Sequence, residues 1–141
     1  MSGHGVDLHT HSLRSDGALE PGELIRRAAE RGVGVPAFSD HDTLAGVAEA
    51  IAAGESLGAR VIPSTELNTE SEGGDVHILG YFLDPLDAAL EDWLRDNRGR
   101  RLEPMVERLN ALGYAITLER VLELAKGGAL GRPHLATALF E

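Results

Sequence analysis

The run "VDLHTHSLRSDG", residues 6–17, decides how the rest of the chain is read. It opens as a short strand, "VDLH" (6–9), and successive side chains of a strand alternate between its two faces. Asp7, His9 and His11 therefore point one way, and Val6, Leu8 and Thr10 the other. That spacing brings both imidazoles within reach of one cation with bonds of about 2 Å. Two exposed histidines at a strand end are the plainer reading of this motif taken alone. Asp16 precedes Gly17 in a turn, and Asp-Gly turns are common without any metal.

Outward from this run, strands and helices alternate. "EPGELIRRAAERG" carries Leu24, Ile25, Ala28 and Ala29 at helical spacing and stops at Gly32. "GVPAFSD" reads as a second strand, "TLAGVAEAIAAGESLG" as a second helix and "ARVIPSTE" as a third strand. The order βαβαβ implies parallel strands with right-handed crossovers. "NTESEGG" is polar and glycine-rich, as an exposed loop is, and "DVHILGYFLD" is apolar for nearly its whole length, as a strand buried on both faces is. From about Asp87 the pattern turns helical. The expected organisation is an α/β part over residues 1–86 joined directly to a small helical part over 87–141, with no independent second domain.

Composition narrows the chemistry. A chain of 141 residues with 43% hydrophobic content supports one globular core. Its formal charge of -10 argues against a broad grip on extended duplex nucleic acid, since phosphate backbones are held by clustered Lys and Arg. A nucleotide is left to a metal or a local pocket. With no cysteine, any metal site must use nitrogen and oxygen ligands. "MSGHG" has no basic segment followed by an apolar run, and no stretch approaches the roughly 18 apolar residues of a membrane span. A cytoplasmic address is the expectation.

The other strand ends repeat the first theme. In a parallel α/β sheet the carboxyl ends of the strands face one surface, where loops build the site. "SDHDT" (39–43) puts His41 there, with Asp40 and Asp42 as acceptors that orient ring nitrogens. Asp42 reads equally well as a cap for the following helix. "PSTEL" places Glu66 on the same rim, the third successive strand to end on a candidate ligand. His77 in "GDVHILGY" shares its strand face with Leu79 and Tyr81; alone it is a core histidine, and in this company a ligand. In "GALGRPHLA" (128–136), Pro133 suits a first helical position. Arg132 and His134 would then meet an anion at that helix start, or be ordinary exposed basic residues.

Together "DLHTHSLRSDG", "AFSDHDT", "PSTEL" and "DVHILGY", in this order, resemble the PHP (polymerase and histidinol phosphatase) family. With "GGALGRPHLA" the chain is most similar to the metal-dependent phosphoesterase subgroup that includes nucleoside 3',5'-bisphosphate phosphatases and a 5'-to-3' exoribonuclease. The resemblance implies the N-terminal portion of a distorted (β/α)7 barrel plus a helical insertion, with up to three divalent ions, Mn, Fe or Zn. By that resemblance His9, His11 and Glu66 hold one metal, Glu66 bridges to a second that His77 also binds, and Asp16 with His41 holds a third. Arg132 and His134 contact a substrate phosphate, and Asp7, Asp40 and Asp42 stand behind the ligands. The implied activity is hydrolysis of a nucleotide or short oligonucleotide phosphate ester by a metal-activated water, without a side-chain nucleophile.

The family pattern also continues beyond what is present here. Nothing after His134 matches the family's later ligand motifs, so each metal lacks one protein ligand. Four or five strands cannot close a seven-stranded barrel and leave two sheet edges open. Three outcomes fit: a piece of a longer enzyme, a homodimer that covers the open edges, or a metal- or phosphate-binding module without turnover. A more distant alternative is an amidohydrolase acting on C-N bonds; the context of Asp16 and "SDHD" argues against it, as does Lys126 being the chain's only lysine.

Overall fold

The structure, a computed structural model, describes residues 5–125 and 132–140. The elements run β1 (Gly5–Thr10), α1 (Pro21–Glu30), β2 (Val33–Phe38), α2 (Val47–Leu57), β3 (Ile62–Ser71), β4 (Gly74–Tyr81), α3 (Ala88–Ala111), α4 (Leu118–Ala125) and α5 (Arg132–Phe140). The strands form one sheet in the order β1-β2-β3-β4. β1, β2 and β3 are parallel, joined by helical crossovers, and β3 and β4 are antiparallel.

Local chemistry explains the helices. α1 starts on Pro21, where the missing N–H costs nothing, and carries Glu23 in its first turn and Arg27 in its last, as the helix dipole favours. α2 ends on Gly58, whose φ of 69° is the left-handed cap that glycine adopts freely. α3 buries every fourth residue, Leu94, Arg98, Leu102 and Val106, in one stripe.

That stripe joins two apolar clusters. Ile25, Phe38, Leu44, Val47 and Ala50 pack with Leu94 of α3 behind the sheet. Leu102 and Val106 of the same helix pack with Ile116, Val121, Leu135 and Ala138 under α4 and α5. Burying a side chain the size of Ile25 or Phe38 completely contributes about 1.5–3 kcal/mol, so these contacts fix where α3 lies.

The strands depart from the sequence reading in three places. First, β1 pairs Asp7 with Pro36 and Thr10 with Phe38, three steps against two, so a bulge interrupts strict alternation around His9. Second, "NTESEGG" is not an exposed loop: β3 runs on through Ser71 and turns tightly back into β4, with Asn68 paired to His77 and Ser71 to Gly74. Third, β4 is not buried on both faces. It is an edge strand with Val76 and Ile78 about half exposed, and its apolar run fills one side of a hairpin rather than a sheet centre.

The sheet curls into a half-barrel: the Tyr81 hydroxyl on β4 donates to the Leu8 carbonyl on β1 at 2.9 Å. Among the described residues no helix is long and apolar enough to cross a membrane.

Candidate metal centre

Four imidazoles converge on one buried carboxylate, from the end of β1, the segments after β1 and β2, and the middle of β4. Glu66, 3% exposed, lies on β3 and is stitched by its backbone to the segment after β2: Asp42 N–H donates to the Glu66 carbonyl at 3.0 Å, and Glu66 N–H to the Asp40 carbonyl at 3.2 Å. This parallel bridge sets His41 beside Glu66. His9 Nε2 stands 2.7 Å from Glu66 Oε2, and His77 Nδ1 2.7 Å from Oε1. His11 Nε2 is 3.0 Å and His41 Nδ1 3.5 Å from Oε2. Asp16 completes the group, with one oxygen 3.5 Å from His11 Nδ1 and the other 3.5 Å from His41 Nε2.

The strand geometry accounts for who meets whom. Glu66 and Asn68 share a face of β3, and His77 lies directly across from Asn68, so His77 reaches Glu66 along the diagonal. His9 sits at the bulge and His11 just beyond β1, which lets both nitrogens turn to the same oxygen; their Nε2 atoms are 2.9 Å apart.

Burial works against a negative charge on Glu66, but hydrogen bonds from His9 and His77 and the positive charge of His41 outweigh it and hold its pKa below the ordinary value. For His11 burial dominates and, with the charge of His41, lowers the pKa against the pull of Asp16 and Glu66. A neutral imidazole keeps a lone pair free, as a metal ligand must.

These residues fit divalent ions. Three groups, His9 with His11 and Glu66, His11 with Asp16 and His41, and His41 with Glu66 and His77, each bring their donor atoms within 4.8 Å of one another. His41 Nδ1 is buried and has no hydrogen-bond partner, an orphan that a cation would satisfy. The donors are imidazole nitrogen and carboxylate oxygen, a set suited to first-row divalent metals.

The supporting residues differ from expectation. Among the described residues Asp40 accepts from no imidazole. Fully buried, it accepts from Ser12 N–H, Ser12 Oγ and Ser15 Oγ, each at 2.6 Å, and so shapes the loop that presents Asp16. Gly17 is required in the same loop, because a Cβ there would collide with the His11 carbonyl and crowd Ser12 Cα at 2.8 Å. Among the described residues Asp42 accepts from no imidazole, and it does not cap α2, which begins at Val47 after Gly46. It takes a positive φ of 49° and accepts from Asn68 N–H at 3.1 Å, Asn68 Nδ2 at 2.8 Å and the Arg101 guanidinium. Asp7 accepts from the backbone N–H of His9 at 3.2 Å, not from a ring.

Arg132 is the first residue of α5, one position ahead of Pro133, and its side chain lies outside the described residues, as does the "GALG" run before it. His134 is half-buried on α5. Sequence reasoning passed over Ser12 and Ser15, which bind Asp40, and Glu91 and Arg101 of α3. Glu91 accepts from Thr43 Oγ1 at 3.0 Å and Leu44 N–H at 2.6 Å, so α3 is tied to the segment after β2 at both Glu91 and Arg101. Single Ser, Glu and Arg residues at these positions carry no spacing signal; only the fold brings them together.

A curled α/β sheet that gathers imidazoles and carboxylates into one cluster is an architecture that could hold divalent metals. The profile of the PHP domain matches residues 7–126, and the chain belongs to that family. It is 37% identical to the 5'-3' exoribonuclease Rnm of Salmonella typhimurium over 96% of this chain and 48% of the relative. It is 42% identical to the 3',5'-nucleoside bisphosphate phosphatase of Chromobacterium violaceum over 78% of this chain and 40% of the relative. The crystal structure of a Bifidobacterium adolescentis protein assigned as a metal-dependent phosphoesterase superposes with a TM-score of 0.75 at 37% identity, covering 96% of this chain and 49% of that one. The chain thus spans about half the length of the curated relatives it matches.

Proposed function

We propose that this chain carries the metal centre of a phosphoesterase that hydrolyses a nucleotide or short oligonucleotide phosphate ester. The observation that carries the reading is the convergence of four histidines on the buried Glu66, with Asp16 on the flank. His9, His11 and Glu66 would hold one ion, Glu66 and His77 a second, and Asp16 with His41 a third. When bound, such ions supply the Lewis acidity that activates water and withdraws charge from a phosphoryl group. Mn, Fe and Zn all suit this donor set.

The chain's own residues supply the rest. Glu66 gathers the imidazoles about its two oxygens, Asp40 holds the loop that positions Asp16, and Arg132 with His134 would orient the phosphate as charge-assisted donors. In this reading residues 1–86 carry the ligands, residues 87–141 form the helical cap, and the protein works in the cytoplasm. Half-exposed Val6 on β1, and Val76 and Ile78 on β4, leave both sheet edges open to a second copy of the chain.

A second reading, metal or phosphate binding without turnover, is favoured by each ligand group offering three protein atoms. One experiment separates the two. Metal content per chain is measured by elemental analysis with native mass, followed by phosphate release from nucleoside bisphosphates and short oligonucleotides. About two or three ions per chain with release supports the enzyme; ions without release leaves the binding module; no ions after incubation with Mn or Zn overturns both.

A further inference from the structure

Beside the metal centre, between β3 and α3, lies an open groove of about 580 Å³. One side is a stripe of α3 at helical spacing, Trp93, Asn97, Arg100, Arg101 and Arg108; the other includes Asn68 of β3. This stripe lies one residue out of step with the buried Leu94, Arg98, Leu102 and Val106, so the core does not use it.

Its composition is out of keeping with the rest of the chain. The protein carries -10 overall and only 13 basic residues, yet three of them line this groove. Glu70 is the one carboxylate lining it among the described residues. Arg101 is committed to Asp42 and the Asn68 carbonyl and stiffens the floor. Arg100 and Arg108 are exposed and make no salt bridge among the described residues. The single tryptophan, Trp93, is 53% exposed at the same place, an uneconomical position for a large ring unless something covers it. An aromatic face followed by unpaired guanidinium groups spread over roughly 22 Å of helix is the equipment that binds a base and a short run of backbone phosphates.

Position supplies the other half of the argument. Asn68, in the groove wall, follows Glu66 by two residues on the same face of β3 and pairs across the hairpin with His77. The groove wall thus begins two residues along β3 from Glu66. We propose that this groove binds a short run of nucleotides of a single-stranded oligonucleotide, with a base stacked on Trp93 and successive backbone phosphates held by Arg100 and, further along α3, by Arg108. The inference rests on the phosphoesterase reading for the strand's purpose, but its binding chemistry needs no metal.

The test is fluorescence anisotropy of a 3'-labelled penta-adenylate RNA with the full 141-residue chain in EDTA, alongside 5'-AMP as competitor. The pentamer should bind and quench Trp93 emission. Trp93→Ala should weaken it roughly tenfold, with Trp93→Phe retaining most of the affinity. Arg100→Gln with Arg108→Gln should flatten the slope of log K against log salt by about 1.4, the value for two phosphate contacts on a single strand. Folding of the variants is checked by thermal unfolding, which exposed substitutions should not move. Absence of pentamer binding by the folded chain overturns the proposal, as does binding that none of these substitutions alters or that 5'-AMP displaces at equal concentration. Failure here leaves metal content and phosphate release untouched, and those are what test the phosphoesterase reading.

Discussion

Asp40 and Asp42 stand two residues apart after the same strand and are both fully buried, yet they tie down different elements. Asp40 turns toward β1 and collects neutral donors from Ser12 and Ser15, fixing the loop with Asp16. Asp42 turns toward α3 and collects Asn68 and a guanidinium, fixing the helix with the groove. A strand's alternation would have sent both to the same face; the left-handed φ at Asp42 is what separates them. His41, between them, is left aimed at the metal centre.

The strongest way to break this division is Asp42→Ala. It strips the partner from a largely buried guanidinium and puts alanine at a positive φ, so a loss of about 4 kcal/mol in urea unfolding is expected. Hydrogen exchange should rise along α3 while residues 12–17 stay protected. Asp40→Ala leaves three donors of one loop unpaired and should cost about 3 kcal/mol. Its signature is the reverse pattern of exchange, with one fewer ion per chain because Asp16 is released. Equal exchange patterns in the two variants would show that the two aspartates serve one network.

Gly17→Ala sharpens the same contrast from the loop side. The added methyl collides with the His11 backbone, so the expected cost is about 2 kcal/mol, with metal content reduced and α3 unaffected. The smallest effect belongs to the sheet edges. Tyr81→Phe removes one hydrogen bond to Leu8 and should lower stability by about 1 kcal/mol or less, with ion content unchanged.

Reading along the chain found the parallel order of β1, β2 and β3, because helices between strands leave few other topologies. Of the side chains it singled out that gather with Glu66, His9, His11 and His41 do lie at or just past the ends of β1 and β2, whereas Glu66 and His77 lie in mid-strand and meet through the hairpin. The hairpin was missed for a physical reason. Asn68, Thr69, Glu70 and Ser71 are polar on both faces because both faces are wet there, so no alternation marks them as a strand. Their extension is fixed by ladder bonds to residues 74–81, a pairing that composition does not announce. The roles of Asp40 and Asp42 were misjudged because proximity to a histidine in sequence says little about which way a buried carboxylate turns.

The carboxylate of Glu66 accepts from a residue 11 positions away and from another 57 positions away. In kinetic terms these are a local and a distant closure. The β3–β4 hairpin can bring His77 to Glu66 on its own, whereas His9 arrives only after β1 has found β2 and β2 has found β3. The centre is therefore complete only when the slowest, most non-local part of the chain has closed. A cation held by His9, His11 and Glu66 would register the end of folding, and its main kinetic effect would be to slow the escape from the native state.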